Sequence, residues 1–192
     1  MRLVASVMVC GLMLAGGSPG GVTADEVPQA RIEASREVSA SFAAQLKEAL
    51  TREMAASGPL GAVDVCKSMA PQIAARAAEK TGWEVGRTSL KTRNPANALD
   101  AWEAEVLRTF AARKAAGEDP SKMEAWAIAD DDGQTRFRYM KAIPTASMCL
   151  TCHGSNIDSE LRAHLDKLYP DDAAVGYGEG DIRGAFTIRQ PL

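Results

Sequence analysis

The chain has 192 residues, 22 basic and 25 acidic side chains, a net charge of −3 and four cysteines. A chain of this length forms one domain and buries a core without disulfide staples. Its mildly acidic balance, with no basic cluster, argues against a nucleic-acid binder.

Residues 1–24 stand apart. Arg2 is followed by an apolar run of 13 residues, Leu3 to Ala15, then by a Gly/Ser/Pro stretch and Val22-Thr23-Ala24. Small side chains at that last site, and a run too short to span a bilayer comfortably, predict a cleaved secretory signal. Val9 occupies the place where a lipid-anchored signal needs a small residue before Cys10. The expected mature chain, 25–192, has 21 basic and 25 acidic side chains, net −4, and three cysteines. With no later apolar stretch of membrane length, it is expected to be periplasmic, with no membrane span once the signal is removed.

From about 25 to 57 the spacing predicts a helix, with Val38, Phe42, Leu46, Leu50 and Met54 four apart on one stripe. Gly58-Pro59 ends it. A second helical stretch runs from about Gly61 to Lys80 with Cys66, Met69, Ile73 and Ala77 inward. Pro71 interrupts it, which predicts a break near Met69 and Ala70. Thr81-Gly82 closes this helix. Trp83 to Leu90 reads as a strand, and a loop follows around Arg93-Asn94-Pro95. Asp100 to Ala116 is helical, with Trp102, Val106 and Phe110 on one face. Met123 to Ala129 and Thr135 to Ile143 are alternating runs about Asp131-Asp132-Gly133, a hairpin signal. A short helix, Asp158 to Leu168, and a Gly-rich loop, Gly176 to Gly180, lead to a last strand, Ile182 to Ile188. This order predicts an α+β fold, a small antiparallel sheet covered by helices, with its core at about 60–190.

Met148-Cys149-Leu150-Thr151-Cys152-His153-Gly154 contains Cys-X-X-Cys-His. In an exported chain this is the attachment motif of c-type haem. Two intervening residues let both thiols reach neighbouring vinyl groups on one haem edge, and the adjacent imidazole binds the iron. The expected cofactor is therefore one haem c, held covalently by Cys149 and Cys152 and ligated by His153. A thioredoxin-like redox pair would sit in a βαβ pattern, which is not evident around Cys149. A zinc site would need a fourth ligand, and the Cys152-His153 adjacency is unlike the usual paired spacing.

The other axial side has several candidates: His164, Cys66, and Met54, Met69, Met123, Met140 and Met148. His164 falls opposite Leu161 and Leu168 and reads as a solvated surface histidine. Methionines on apolar stripes are core filler by default. Cys66 is either an inert buried thiol or an iron ligand, having no free thiol partner once the haem takes the other two. Arg87, Lys91 and Arg93 are candidates for pairing with haem propionates, since guanidinium recognises carboxylate bidentately. Trp83, Trp126 and Phe137 are candidate pocket aromatics, with the core as their default place.

Val65-Cys66-Lys67 with Ala70-Pro71, Trp83 to Lys91 with Arg93-Asn94-Pro95 and Asn97, Asp100-Ala101-Trp102-Glu103, and Cys149 to Gly154 together resemble the Tll-like family of periplasmic c-type haem domains. The resemblance covers about residues 40–190. It implies a PAS-like fold, in which an antiparallel sheet and flanking helices enclose the haem. It also implies His/Cys axial ligation, with Cys66 as the second ligand to His153.

Thiolate stabilises ferric iron and lowers the potential, so such a haem suits poorly a high-potential carrier. Ferrous iron holds thiolate less strongly, which makes loss of Cys66 on reduction, followed by capture of carbon monoxide or nitric oxide, a sensible switch. Two functions are expected: a redox or small-gas sensor module acting on a signalling or redox partner, or a soluble low-potential electron carrier. No nucleophile/base pair or carboxylate cluster points to an enzyme.

Overall fold

The structure is a computed structural model that describes residues 26–131 and 133–192; the expected signal, 1–24, lies outside the described residues. Helix α1, Glu26–Asp64, leads through a π turn, Val65–Met69, into α2, Ala70–Thr81, and strand β1, Glu84–Thr88. Helix α3, Ala101–Ala115, precedes the hairpin β2, Glu124–Asp131, and β3, Gln134–Pro144. Two short helices, α4, Leu150–His153, and α5, Ser159–Leu168, come before β4, Ile182–Pro191. The strands form one antiparallel sheet in the order β1-β4-β3-β2. This is the expected α+β architecture, a small antiparallel sheet with flanking helices.

Alternation along the strands sends side chains to both faces, and each face has its own helix. Met140 and Ala142 of β3 and Ala185 of β4 pack with Val106, Leu107 and Phe110 of α3. Phe137, Tyr139 and Ile188 point the other way, toward Ile32 of α1. Strand β3 is consequently buried on both faces over residues 137–140. Arg138 lies within that run, with its guanidinium 4.5 Å from the Trp102 ring centroid and paired with Asp100. Asp100 also caps α3 in a reciprocal box with Glu103.

The expected stop at Gly58-Pro59 is present as a bend rather than an end. Gly58 adopts φ 68°, ψ −167°, and the chain re-enters helix at once. Pro71 cannot donate to a carbonyl in the preceding turn. That turn is widened, and the Ala70 amide donates to the Val65 carbonyl five residues back. Gly82, at φ 72°, closes α2 as the sequence predicts. Among the described residues, no helix is long and apolar enough to cross a membrane.

Candidate functional site

A cavity with about 1180 Å³ of empty space, part of it open to solvent, lies beside β1 at the end of the sheet where β3 leaves and β4 enters. Cys66, Cys149, Cys152 and His153 all border it. Four-residue spacing overshoots the helical repeat of 3.6, so the apolar stripe of α1 winds slowly around its axis. Phe42 is thereby buried against Phe186, whereas Leu46, Leu50 and Met54, farther along, remain half-buried and form the cavity wall. Val63 and Ile143 extend the apolar lining, and the π turn delivers Cys66.

His153 ends α4, a helix of one turn that neighbouring backbone must hold in place. The Tyr177 amide donates to the His153 carbonyl at 2.9 Å and the Gly176 amide to the Gly154 carbonyl at 3.1 Å. Upstream, the Thr145 amide donates to the Asp181 carbonyl at 2.8 Å, fastening the start of the motif to the Gly-rich loop. The His153 Nδ1–H donates to the Ala174 carbonyl at 2.7 Å. This fixes the ring and leaves Nε2 as the free donor atom, the arrangement found at histidines that bind metals. Burial, helped by the charges of Arg183 and Arg93 and opposed by the Ala174 bond, pushes the imidazole down to about 2. His153 is therefore neutral, with its Nε2 lone pair available.

Among the described residues, no three His, Cys, Asp or Glu side chains gather closely enough to hold a bare metal ion. A haem iron needs fewer protein donors, because the porphyrin supplies four nitrogens. Burial pushes the Cys152 thiol up, with Arg93 opposing.

Three arginines border the cavity: Arg87, Arg93 and Arg183. Among the described residues no carboxylate pairs with Arg87 or Arg183. Burial lowers the pKa of both. Arg183 reaches Ser89 Oγ at 3.1 Å, a neutral partner, and Arg87 lies 5.6 Å from the centroid of the Phe42 ring. Half-buried cations without anions mark a place for a negatively charged ligand group. Arg93, which the sequence offers for the same task, has other partners. Its guanidinium is 3.0 Å from Asp172, whose side chain is fully buried, and it also donates to the Cys152 carbonyl. Lys91 is exposed and lies over the Tyr177 ring at 5.1 Å. Arg183, Asp172 and Ala174 are not legible from the sequence, because Asp172 and Ala174 lie in a segment with no periodic pattern and only the pairing of β4 with β1 brings Arg183 to the cavity.

The other candidates separate cleanly. Met54 and Met148 border the cavity; Met69 does not, and Met123 and Met140 are fully buried under α3. His164 is half-buried on α5 and away from the cavity, with a buried Nε2, so it is not the solvated histidine expected. The three aromatics are absent from the cavity lining. Trp83 and Phe137 pack with the Tyr139 cluster, and Trp126 is 47% exposed because it sits on the edge strand β2.

A family model described as Tll0287-like matches residues 23–191. A comparison with curated proteins finds no match. Among solved structures, the cyanobacterial heme-protein Tll0287 has a similar fold, with a TM-score of 0.61 and 25% sequence identity. The match covers 88% of this chain and 97% of that one.

Proposed function

The chain belongs to the Tll0287-like family, and from that premise we propose that it is an exported single-haem protein, with haem c attached through Cys149 and Cys152 and iron held between His153 and Cys66. The observation that carries this is the convergence of all four side chains on one apolar cavity that also contains two unpaired arginines. Arg87 and Arg183 would face the haem propionates. The relative Tll0287 is by its description a heme protein, which supports the same ligand here. When bound, haem supplies a one-electron centre that takes up a diatomic gas if an axial position opens.

We favour a redox or small-gas sensor. Cys66 sits on a π turn, a less regular hydrogen-bonding pattern than the α-helix around it. It also borders a second cavity with about 1000 Å³ of empty space, partly open, on the side of α2. A thiol on such a turn has room to withdraw from iron, after which carbon monoxide or nitric oxide could enter. The second reading, a low-potential electron carrier, is favoured by the half-exposure of Cys149 and Cys152, which would bring one haem edge near the surface.

Optical and electron paramagnetic spectra of the wild type and Cys66→Ala test the ligand assignment. The ferric wild type should show low-spin thiolate features that Cys66→Ala abolishes. If the variant leaves the spectrum unchanged, Cys66 is not a ligand. A reduced wild type that stays six-coordinate and takes up no carbon monoxide eliminates the gas switch and leaves the carrier.

A further inference from the structure

The buried Arg93–Asp172 pair belongs to neither the sheet nor the helices. Arg93 follows β1 in a loop without regular structure, and Asp172 lies in the irregular segment between α5 and β4. Arg93 is 8% exposed and the Asp172 side chain 0%. Arg93 Nε donates to Asp172 Oδ2 at 3.1 Å, while Asp172 Oδ1 accepts from the Ala174 amide at 2.8 Å. Arg93 Nη2 donates to the Cys152 carbonyl and, at 3.4 Å, to the Ala174 carbonyl. That same Ala174 carbonyl receives the His153 Nδ1–H. The Ala173 amide adds a link to the Thr92 carbonyl at 3.0 Å. Through the Ala174 and Cys152 carbonyls this clamp bears directly on His153 and its neighbour.

A buried ion pair is a poor source of stability, because desolvation offsets most of its attraction. Its place against the one hydrogen bond of the imidazole gives it another use. We propose that Arg93 and Asp172 are positioning residues for His153: together they fix the carbonyl that orients the ring and set the donor strength of its Nε2. The pair carries no net charge, although its cation still bears on the imidazole. Removing either partner would leave one uncompensated charge hydrogen-bonded to Ala174, the residue whose carbonyl holds the ligand. The proposal rests on His153 being the axial ligand.

The test uses the holoprotein, with midpoint potential and ferric paramagnetic spectrum measured for the wild type, Asp172→Asn, Arg93→Gln and the double variant. Asp172→Asn leaves a net positive charge, which favours ferrous iron, so its potential should rise. Arg93→Gln leaves a negative charge, and its potential should fall. The double variant should return near the wild-type potential yet retain an altered spectrum, because the carbonyl is no longer clamped. Arg93→Lys keeps the charge and should shift the potential less than Arg93→Gln. Should a single variant fail to fold, the double variant and Arg93→Lys still carry the test. Folded variants with wild-type potential and spectrum overturn the proposal, as does a shift of the same sign from both single variants, which would mark general loosening. A wild-type spectrum without a histidine ligand instead overturns the reading on which the proposal depends.

Discussion

Arg87 and Arg183 meet the cavity from different strands under the same electrostatic strain. Each is a cation drawn out of water, with no carboxylate among the described residues to offset the desolvation. Natural sites accept such strain where a ligand relieves it. Arg87→Met keeps the apolar stem and removes the charge. It should raise the thermal stability of the haem-free precursor and lower that of the holoprotein, by about 1 kcal/mol each way. Thermal unfolding of both forms decides the matter, and a change of the same sign in both would show that Arg87 faces no anion. In the sequence Arg87 was visible as a candidate because it lies in a distinctive run, Trp83 to Leu90. Arg183 carried no comparable signal, since its role follows only from the pairing of β4 with β1.

At the scale of elements, the path from α1 to α2 is shaped by two breaks that the sequence announces. Gly58 bends α1, and Pro71 opens the π turn that carries Cys66. Gly58 lies in a region of backbone space closed to other residues, and a Cβ built there meets nothing within 4 Å. Gly58→Ala should therefore cost about 1–3 kcal/mol through backbone strain alone. Chemical denaturation of the haem-free form measures it; a cost near zero would mean that the bend relaxes freely. Gly184 has the opposite cause. Its φ is ordinary, but a Cβ there would collide with the Thr88 carbonyl, so only glycine lets β4 approach β1 at the cavity edge. The first glycine is legible from its Gly-Pro context, the second only once the strands are paired.

Across the whole molecule, a polar network on the α3 face ties distant elements together. Asp100 pairs with Arg138 and Arg189, and Glu84 pairs with Arg136 and Arg189. On the other face, Glu124 joins Arg36 of α1 and accepts a hydrogen bond from Tyr139. Burial alone would raise Asp100 and Glu84, but the helix cap with Arg138 and Arg189 holds Asp100, and Arg189 with Arg136 holds Glu84, below their ordinary values. The Arg36 bond does the same for Glu124. A carboxyl with a lowered folded pKa gives stability that is complete above its unfolded value and lost as pH falls through its folded one. Stability should therefore draw on these three groups fully above about pH 5 and lose their contribution below about pH 4. Melting temperatures across that range check this, and Asp100→Asn should flatten the acid limb. An unchanged limb in that variant would remove Asp100 from the network.

The sequence by itself determined the local grammar of this protein. Glycine, proline and hydrophobic spacing act over a few residues, so the helix breaks, the hairpin and the Cys-X-X-Cys-His motif are legible directly. It also singled out Cys66 as the odd thiol. The tertiary structure alone decided what meets at the cavity, because Cys66, Arg87, His153 and Arg183 come from separate elements and share no periodicity. It joined Arg93, a candidate propionate partner at the cavity edge, to the buried Asp172, and placed Trp126 on an exposed edge. Both outcomes depend on strand order and loop paths, which arise from long-range packing rather than from any local pattern.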